Sequence, residues 1–331
     1  MRGRPREKIW VVRPGDGRTV ADIVRRAGES PAAIEDGRVF IGKKRVTRAD
    51  QLVAAGDAVR IGPGRPPESS HVAPNVEILF HEGGLVACVK PAGLPTVPDH
   101  AGSAHSLVAI VARSIGAKTE YLRVTSRLDR DVSGVVVFAL DPAAEERLRT
   151  ARAEGRYQRR YIALALTPAG TLAGEGIWDA PIGRAPDPRL RAVRGPDAKD
   201  ATTRWRTIAT GESSATNVGP QAIAVMLAVD PVTGRTHQIR VHASNAGAPL
   251  IGDRDYGGPT RIVLPNGRIL APSRIALHAA RVIVPGARGL VEARAPIPAE
   301  LMETWSALGG DAGAWERAIA SETPPLDSRH A

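Results

Sequence analysis

Residues 126–140 read SRLDRDVSGVVVFAL, and the fold turns on how the two halves of this stretch join. The second half, GVVVFAL, is a glycine followed by an unbroken apolar run of strand length, which places it in the core. The first half brings Arg127, Asp129 and Arg130 up to the edge of that strand. In an extended segment Arg127 and Asp129 share one side, while Leu128 points the other way. A carboxylate partly withdrawn from water there needs a cation or hydrogen-bond donors to stay ionised. Held so, it suits a nucleophile or a base better than a proton donor. A structural salt bridge at a strand entrance fits these residues equally well.

Working outward, the chain after residue 75 is mostly strand. VEILFHEG, LVACVKPAG, RYIALAL, RWRTIA, AIAVMLAVD and LVEARAP all carry the apolar, β-branched signature. Two helices lie between them, over 103–116 and over 142–155, the second with Pro142 at its start and Glu145 and Glu146 in its first turn. THQIRVHASNAG, 236–247, fits either a helix or a strand that bends into one. Irregular spacing without βαβ repeats predicts an α+β domain with a mixed, mainly antiparallel sheet. Before it, 19–28 reads as a helix, ESPAAIEDG as a short helix ended by Gly37, and RVFIGKKRV and DAVRIGP as short strands. We therefore expect a small first domain over 1–64, a linker rich in Pro and Ser over 65–75, a main domain over 76–305, and a helix with a frayed tail over 306–331.

The chain has 331 residues, 43% of them hydrophobic, enough to bury a large core. Its net charge of +10 favours a polyanionic partner. Through Gly64 the chain carries 14 Lys or Arg against 8 Asp or Glu, a net of +6, which marks the first unit as a docking module. The single cysteine, Cys88, excludes an intramolecular disulfide framework and a cysteine-rich zinc site. No secretory signal and no apolar run of membrane-spanning length is read, so we expect a cytoplasmic monomer without a membrane partner.

Three further stretches carry chemistry. VTGRTHQIRVH, 232–242, crowds Arg235, Thr236, His237, Gln238 and Arg240 after a turn at Thr233 and Gly234, donors suited to phosphate or carboxylate. Its two histidines lack metal-ligand spacing. In ACVKPAGLPTVP, 87–98, a strand ends at Lys90 and prolines stiffen the residues after it, either a rigid loop beside a site or a plain connection. RYQRRYIALAL, 156–166, puts Tyr157, Arg159 and Tyr161 on one face of an extended segment; rings beside guanidiniums suit base stacking, and Tyr161 fits a core aromatic as well.

Together these motifs resemble the RNA pseudouridine synthases of ribosomal and transfer RNA that pair an S4-like α/β N-terminal domain with a catalytic domain. SRLDRDVSG is similar to the family signature HRLDRDTSG, GRYQRRYIALAL to its tyrosine strand, and TGRTHQIRVH with GAPLIGDRDYGG to its arginine motif. VKPAGLPTVP, PIGRAPDPRLRAV, KDATTRW and RIALHAARV follow the family order, so the likeness runs over about 76–298. Ser126 and Val132 depart from it, standing where His and Thr are usual. The resemblance implies a pseudouridine synthase fold and isomerisation of uridine in structured RNA, ribosomal RNA first and transfer RNA second, with no cofactor and no metal. A noncatalytic RNA-binding factor that kept the fold is the competing class. It implies Asp129, Tyr161 and Arg240 as catalytic residues. It implies substrate contacts from Arg127, Arg130, Lys90, Arg235, His237 and Gln238. The target nucleotide has to leave its helix and enter a pocket.

Overall fold

The computed structural model describes residues 8–35, 38–42, 44–46, 48–62, 76–98, 106–211 and 222–322. They belong to two compact units divided between Val72 and Ala73. The expected linker, the helix stop at Gly37, the start of the 103–116 helix and the tail from 323 onward lie outside the described residues.

In the first unit, β1 (Lys8–Val11), α1 (Val20–Arg26), α2 (Ala32–Glu35), β2 (Val39–Ile41), β3 (Lys44–Arg45) and β4 (Ala58–Ile61) build a sheet in the order β1-β4-β2-β3. Thr19 and Asp22 form a reciprocal capping box at the start of α1. Val20, Ile23 and Val24 of α1 are buried with Val39, Val59 and Ile61 of the sheet. Strand β1, with Ile9 and Val11 facing water, is not predicted from the sequence because its buried face is so narrow.

The second unit begins with β5 (Ile78–Glu82), β6 (Leu85–Lys90), α3 (Leu107–Ser114), β7 (Arg123–Val124), β8 (Ser133–Ala139) and α4 (Pro142–Ala153). Then come β9 (Gln158–Pro168), β10 (Glu175–Asp179), β11 (Ile182–Arg184), β12 (Arg191–Val193), β13 (Thr202–Thr210) and β14 (Ala222–Pro231). The helix α5 (Gln238–Asn245), β15 (Ile262–Val263), β16 (Ile269–Leu270), β17 (Leu277–Pro285), β18 (Leu290–Arg294), α6 (Ala299–Ala307) and α7 (Ala314–Ala320) complete it. The main sheet runs β10-β13-β14-β9-β17-β8-β6-β5, with β18 beside β17 and β7 beside β8. Every pair in it is antiparallel except β17 with β8, so the α+β, mainly antiparallel expectation holds. Its central strands are buried on both faces. In β9 Tyr161, Ala163 and Ala165 face one core, while Ile162, Leu164 and Leu166 face the other with Trp305 and Trp315. That is why VVVFAL and IALAL are continuously apolar: with helices on both sides there is no wet face to alternate with.

Two expectations need correction. Residues 126–132 are a loop, with no ladder hydrogen bonds, between β7 and β8; Leu128 still enters the core, 8% exposed. In the C-terminal region α6 already begins at Ala299, so the boundary expected at 305 falls inside a helix. The ambiguous 236–247 stretch is the helix α5, which buries Ile239 and Val241.

Candidate active site

The parallel crossing of β17 and β8 sets the stage. At Gly134, φ is +123°, and a Cβ there would lie 2.2 Å from the Ala279 carbonyl oxygen, so no other residue lets the two backbones meet. The loop carrying Asp129 enters β8 immediately before this crossing. It is clamped to the 91–98 loop by Gly93 N donating to the Arg130 carbonyl (2.8 Å) and Leu128 N donating to Thr96 Oγ1 (3.2 Å). Thr96 Oγ1 in turn donates to the Leu128 carbonyl at 2.8 Å. In the stretch 87–98, strand β6 therefore ends at Lys90 and the loop that follows, 91–98, is tied to the Asp129 loop.

Lys90 completes that clamp and is a correction to the expected substrate contact. It is fully buried, and its Nζ donates to the carbonyls of Pro91 (3.0 Å), Leu94 (2.6 Å) and Arg130 (2.8 Å). Burial pushes its pKa down to about 7, with Arg274 adding to the effect. All three donors are used inside the protein.

Asp129 Oδ2 accepts from Arg240 Nη1 at 3.2 Å. Arg240, on α5, also donates through Nε and Nη2 to both oxygens of Asp253 at 2.8 Å and through Nη2 to Asp255 at 2.7 Å. Its guanidinium carbon sits 4.8 Å from the Tyr256 ring centre. Burial alone would lower the arginine's pKa, but the hydrogen bonds it donates to Asp253 and Asp255 and the charges of Asp253 and Asp129 together raise it above its ordinary value, so it is a fixed cation. Among the described residues the hydrogen bond to Asp129 comes from Arg240 and not from an arginine beside it in the sequence. Arg130 Nε donates to the Gly93 carbonyl (3.1 Å), and Arg127 is exposed on the cavity rim with no hydrogen bond among the described residues.

His237 introduces α5 from a left-handed conformation, φ +57°. Its Nδ1 lies 2.8 Å from the Tyr256 hydroxyl and its Nε2 3.9 Å from Asp129 Oδ2. Burial lowers its pKa and Asp129 opposes that shift. Gln238 also lines the cavity, with its side-chain amide engaged inside the protein. Its Oε1 accepts from Thr233 Oγ1 (2.7 Å) and Arg235 N (2.9 Å), and its Nε2 donates to the Thr202 carbonyl and Thr203 Oγ1 (both 2.9 Å), which spends the amide on positioning the turn. Arg235 donates to the Asp200 carbonyl from an exposed position on the cavity wall.

These residues surround a cavity of about 490 Å³, the size of a small-ligand site. Tyr161 lines it from β9, 8% exposed, its hydroxyl pushed up to about 12 by burial. Asp129, Tyr161, Arg240, Arg127, Arg130, Arg235, His237 and Gln238 are thus brought together, while Lys90 stands behind the wall. Asp253, Asp255 and Tyr256 were missed. Their signal, GDRDYGG, lies in the chain, but an Asp-x-Asp pair reads as charged loop until the fold shows the arginine it meets. Among the described residues no cluster of His, Cys, Asp and Glu is placed to hold a metal ion.

Comparison with known proteins adds to this geometry. Residues 84–245 match the RNA pseudouridylate synthase family. The Bacillus subtilis protein named Uncharacterized RNA pseudouridine synthase YhcT is 32% identical over 219 residues, 65% of this chain and 69% of that one. Ribosomal large subunit pseudouridine synthase D of Nitrosomonas europaea is 32% identical over 212 residues, but the match covers 58% of that protein and 62% of this chain. Ribosomal large subunit pseudouridine synthase C of Escherichia coli is 30% identical over 238 residues, 68% of this chain and 69% of that one. The structure of human RNA Pseudouridylate Synthase Domain Containing 1 shares the fold, with a TM-score of 0.55 and 22% identity over 76% of this chain and 98% of that one. A carboxylate pinned by arginine and a buried tyrosine thus share one cavity rimmed by guanidiniums. The chain belongs to the RNA pseudouridine synthase family, whose members are isomerases acting on RNA.

Proposed function

We propose that this enzyme converts uridine in large-subunit ribosomal RNA to pseudouridine, with Asp129 as the reacting carboxylate. The observation that carries the assignment is Asp129 Oδ2 on the cavity wall, 3.2 Å from an arginine that two further carboxylates hold in place. In the reaction the N1–C1′ bond breaks, the uracil turns, C5 bonds to C1′, the C5 proton leaves and N1 gains a proton. Asp129 attacks the ribose or acts through a closely related covalent route. Arg240 keeps it ionised and aimed. Tyr161 stacks on the uracil, and Arg127 reaches toward the strand from which the nucleotide has turned out. His237 and Arg235 line the entrance.

The relatives named as large-subunit ribosomal enzymes support that substrate over transfer RNA. The small basic first unit, two helices on a four-stranded sheet, is read as an S4-like RNA-binding domain. The test is release of tritium from C5-labelled uridine in unmodified ribosomal RNA and in bulk transfer RNA. We expect saturable release from ribosomal RNA, abolished in Asp129→Asn while RNA binding persists. Release that survives Asp129→Asn removes the carboxylate from the mechanism. No release from either RNA by folded, RNA-binding protein replaces the enzyme with a binding factor.

A further inference from the structure

The cavity holds more positive charge than the Asp129 chemistry uses. Arg152, in the last turn of α4, and Arg159, near the start of β9, both line it. Their guanidinium carbons lie 4.8 Å and 5.9 Å from the centre of the Tyr157 ring. Arg240 and Arg160, by contrast, are matched by carboxylates: Arg240 by Asp129, Asp253 and Asp255, Arg160 by Asp230. Neither Arg152 nor Arg159 forms an ion pair among the described residues.

Some of their donors are also unspent. Arg159 Nη2 holds the turn before α5 through the carbonyls of Pro231 (2.9 Å) and Thr233 (2.8 Å). Its Nε, together with Nε and Nη2 of Arg152, is buried without a hydrogen-bond partner among the described residues. A buried cationic N–H without an acceptor is costly, and two such groups around one ring repel each other. Burial and the neighbouring Arg159 both depress the Arg152 pKa. An anion held in the cavity against both guanidiniums offsets this repulsion.

The position of this pair relative to Asp129 narrows the anion. Tyr157 Oη lies 3.2 Å from Ser126 Oγ, three residues before Asp129 and at the position where the family signature has histidine. The small hydroxyl leaves the tyrosine and its two arginines at the edge of the reactive carboxylate's loop. We propose that Arg152 and Arg159, arranged about the Tyr157 ring, seat a phosphodiester group of the RNA strand next to the nucleotide held at Asp129. The assignment rests on the proposed RNA isomerase reading. Such a contact sets the register of the strand and reads no base.

The test compares the full chain with Arg152→Gln, Arg159→Gln, Arg152→Lys and a control, Arg288→Gln, an exposed arginine outside the cavity. Affinity for unmodified ribosomal RNA is measured across a potassium chloride series, beside tritium release. We expect each glutamine variant to bind about tenfold more weakly, with the slope of log Kd against log salt reduced by about one. The loss in tritium release falls mainly on KM. Arg152→Lys keeps the slope and loses a few-fold in affinity, since it retains charge without the fork. Arg288→Gln behaves as the wild type.

A second readout is independent of the reaction. Inorganic phosphate raises the melting temperature of the wild type above that in chloride of equal ionic strength, and this increment disappears in Arg152→Gln. If Arg159→Gln fails to fold for want of its carbonyl bonds, Arg152→Gln decides alone. Unchanged affinity, slope and phosphate response in folded Arg152→Gln overturn the seat and leave the isomerase reading standing. Loss of those responses without tritium release from the wild type supports the seat and overturns the isomerase.

Discussion

Arg240 shows how one residue can be made unconditional. Asp253 takes two of its donors in a fork at 2.8 Å and Asp255 shares another, so the Nη1 that meets Asp129 is aimed before any substrate arrives. Preorganisation of this kind avoids reorienting a dipole during reaction. His278, behind the site, carries the opposite electrostatics. It is buried, its Nδ1 lies 2.7 Å from Ser133 Oγ, and desolvation pushes its pKa down to about 3 from 6.5. The unfolded chain therefore takes up a proton below pH 6.5 that the folded state refuses until about pH 3. The group's contribution to stability is fully present above pH 6.5 and is lost as pH falls through this window, by up to about 1.4 kcal/mol per unit. Urea unfolding at pH 7, 6, 5 and 4.5 will show a shallower pH dependence in His278→Asn than in the wild type. Equal slopes would mean that this histidine protonates freely in the folded protein.

At the scale of elements, three backbone segments make the site. The 91–98 loop and the Asp129 loop are tied by Lys90 and Thr96, and β17 presses against β8 where Gly134 allows it. α5 starts from the left-handed His237, which turns Arg240 back toward Asp129. Gly134 is the most sensitive point, because its neighbour is backbone and cannot rotate away. Gly134→Ala combines a positive φ with a clash against the Ala279 carbonyl, so we expect a loss of about 3 kcal/mol or more. The check is denaturant unfolding: a stability within about 1 kcal/mol of the wild type would show that the two strands separate cheaply.

At the scale of the molecule, the second unit has cores on both faces of its sheet, and the C-terminal helices seal one of them. Arg160 reaches from β9 to Asp230 and to the Ala318 carbonyl, which fastens α7 in place. The first unit has its own core, and most of the chain's excess charge falls in its stretch of sequence. We expect residues 73–331 alone to unfold cooperatively and to keep the turnover of tritium release at saturating RNA. RNA affinity should drop several-fold, with a shallower salt dependence. A folded 73–331 that cannot reach wild-type turnover would show that the first unit takes part in catalysis.

Asp129, Tyr161 and Arg240 were legible in the sequence through motifs that resemble the family's; the local pattern alone, charge at the mouth of an apolar run and an aromatic beside cations, left a salt bridge and a core aromatic open. The α+β class was legible from many strands at irregular spacing without βαβ repeats. The partners of those residues were not. Lys90 and Gln238 have the composition of substrate ligands, and only their surroundings show every donor already spent on carbonyls or the turn. Asp253 lies 13 residues from Arg240 and Tyr157 lies 31 from Ser126, separations across which a sequence shows no contact. By itself the sequence determined which segments must be buried and which side chains have chemistry to offer, because periodicity and residue type are local properties. The tertiary structure alone decided which of those side chains face the cavity and which hold it up, because that depends on the acceptors each one finds after the chain has closed on itself.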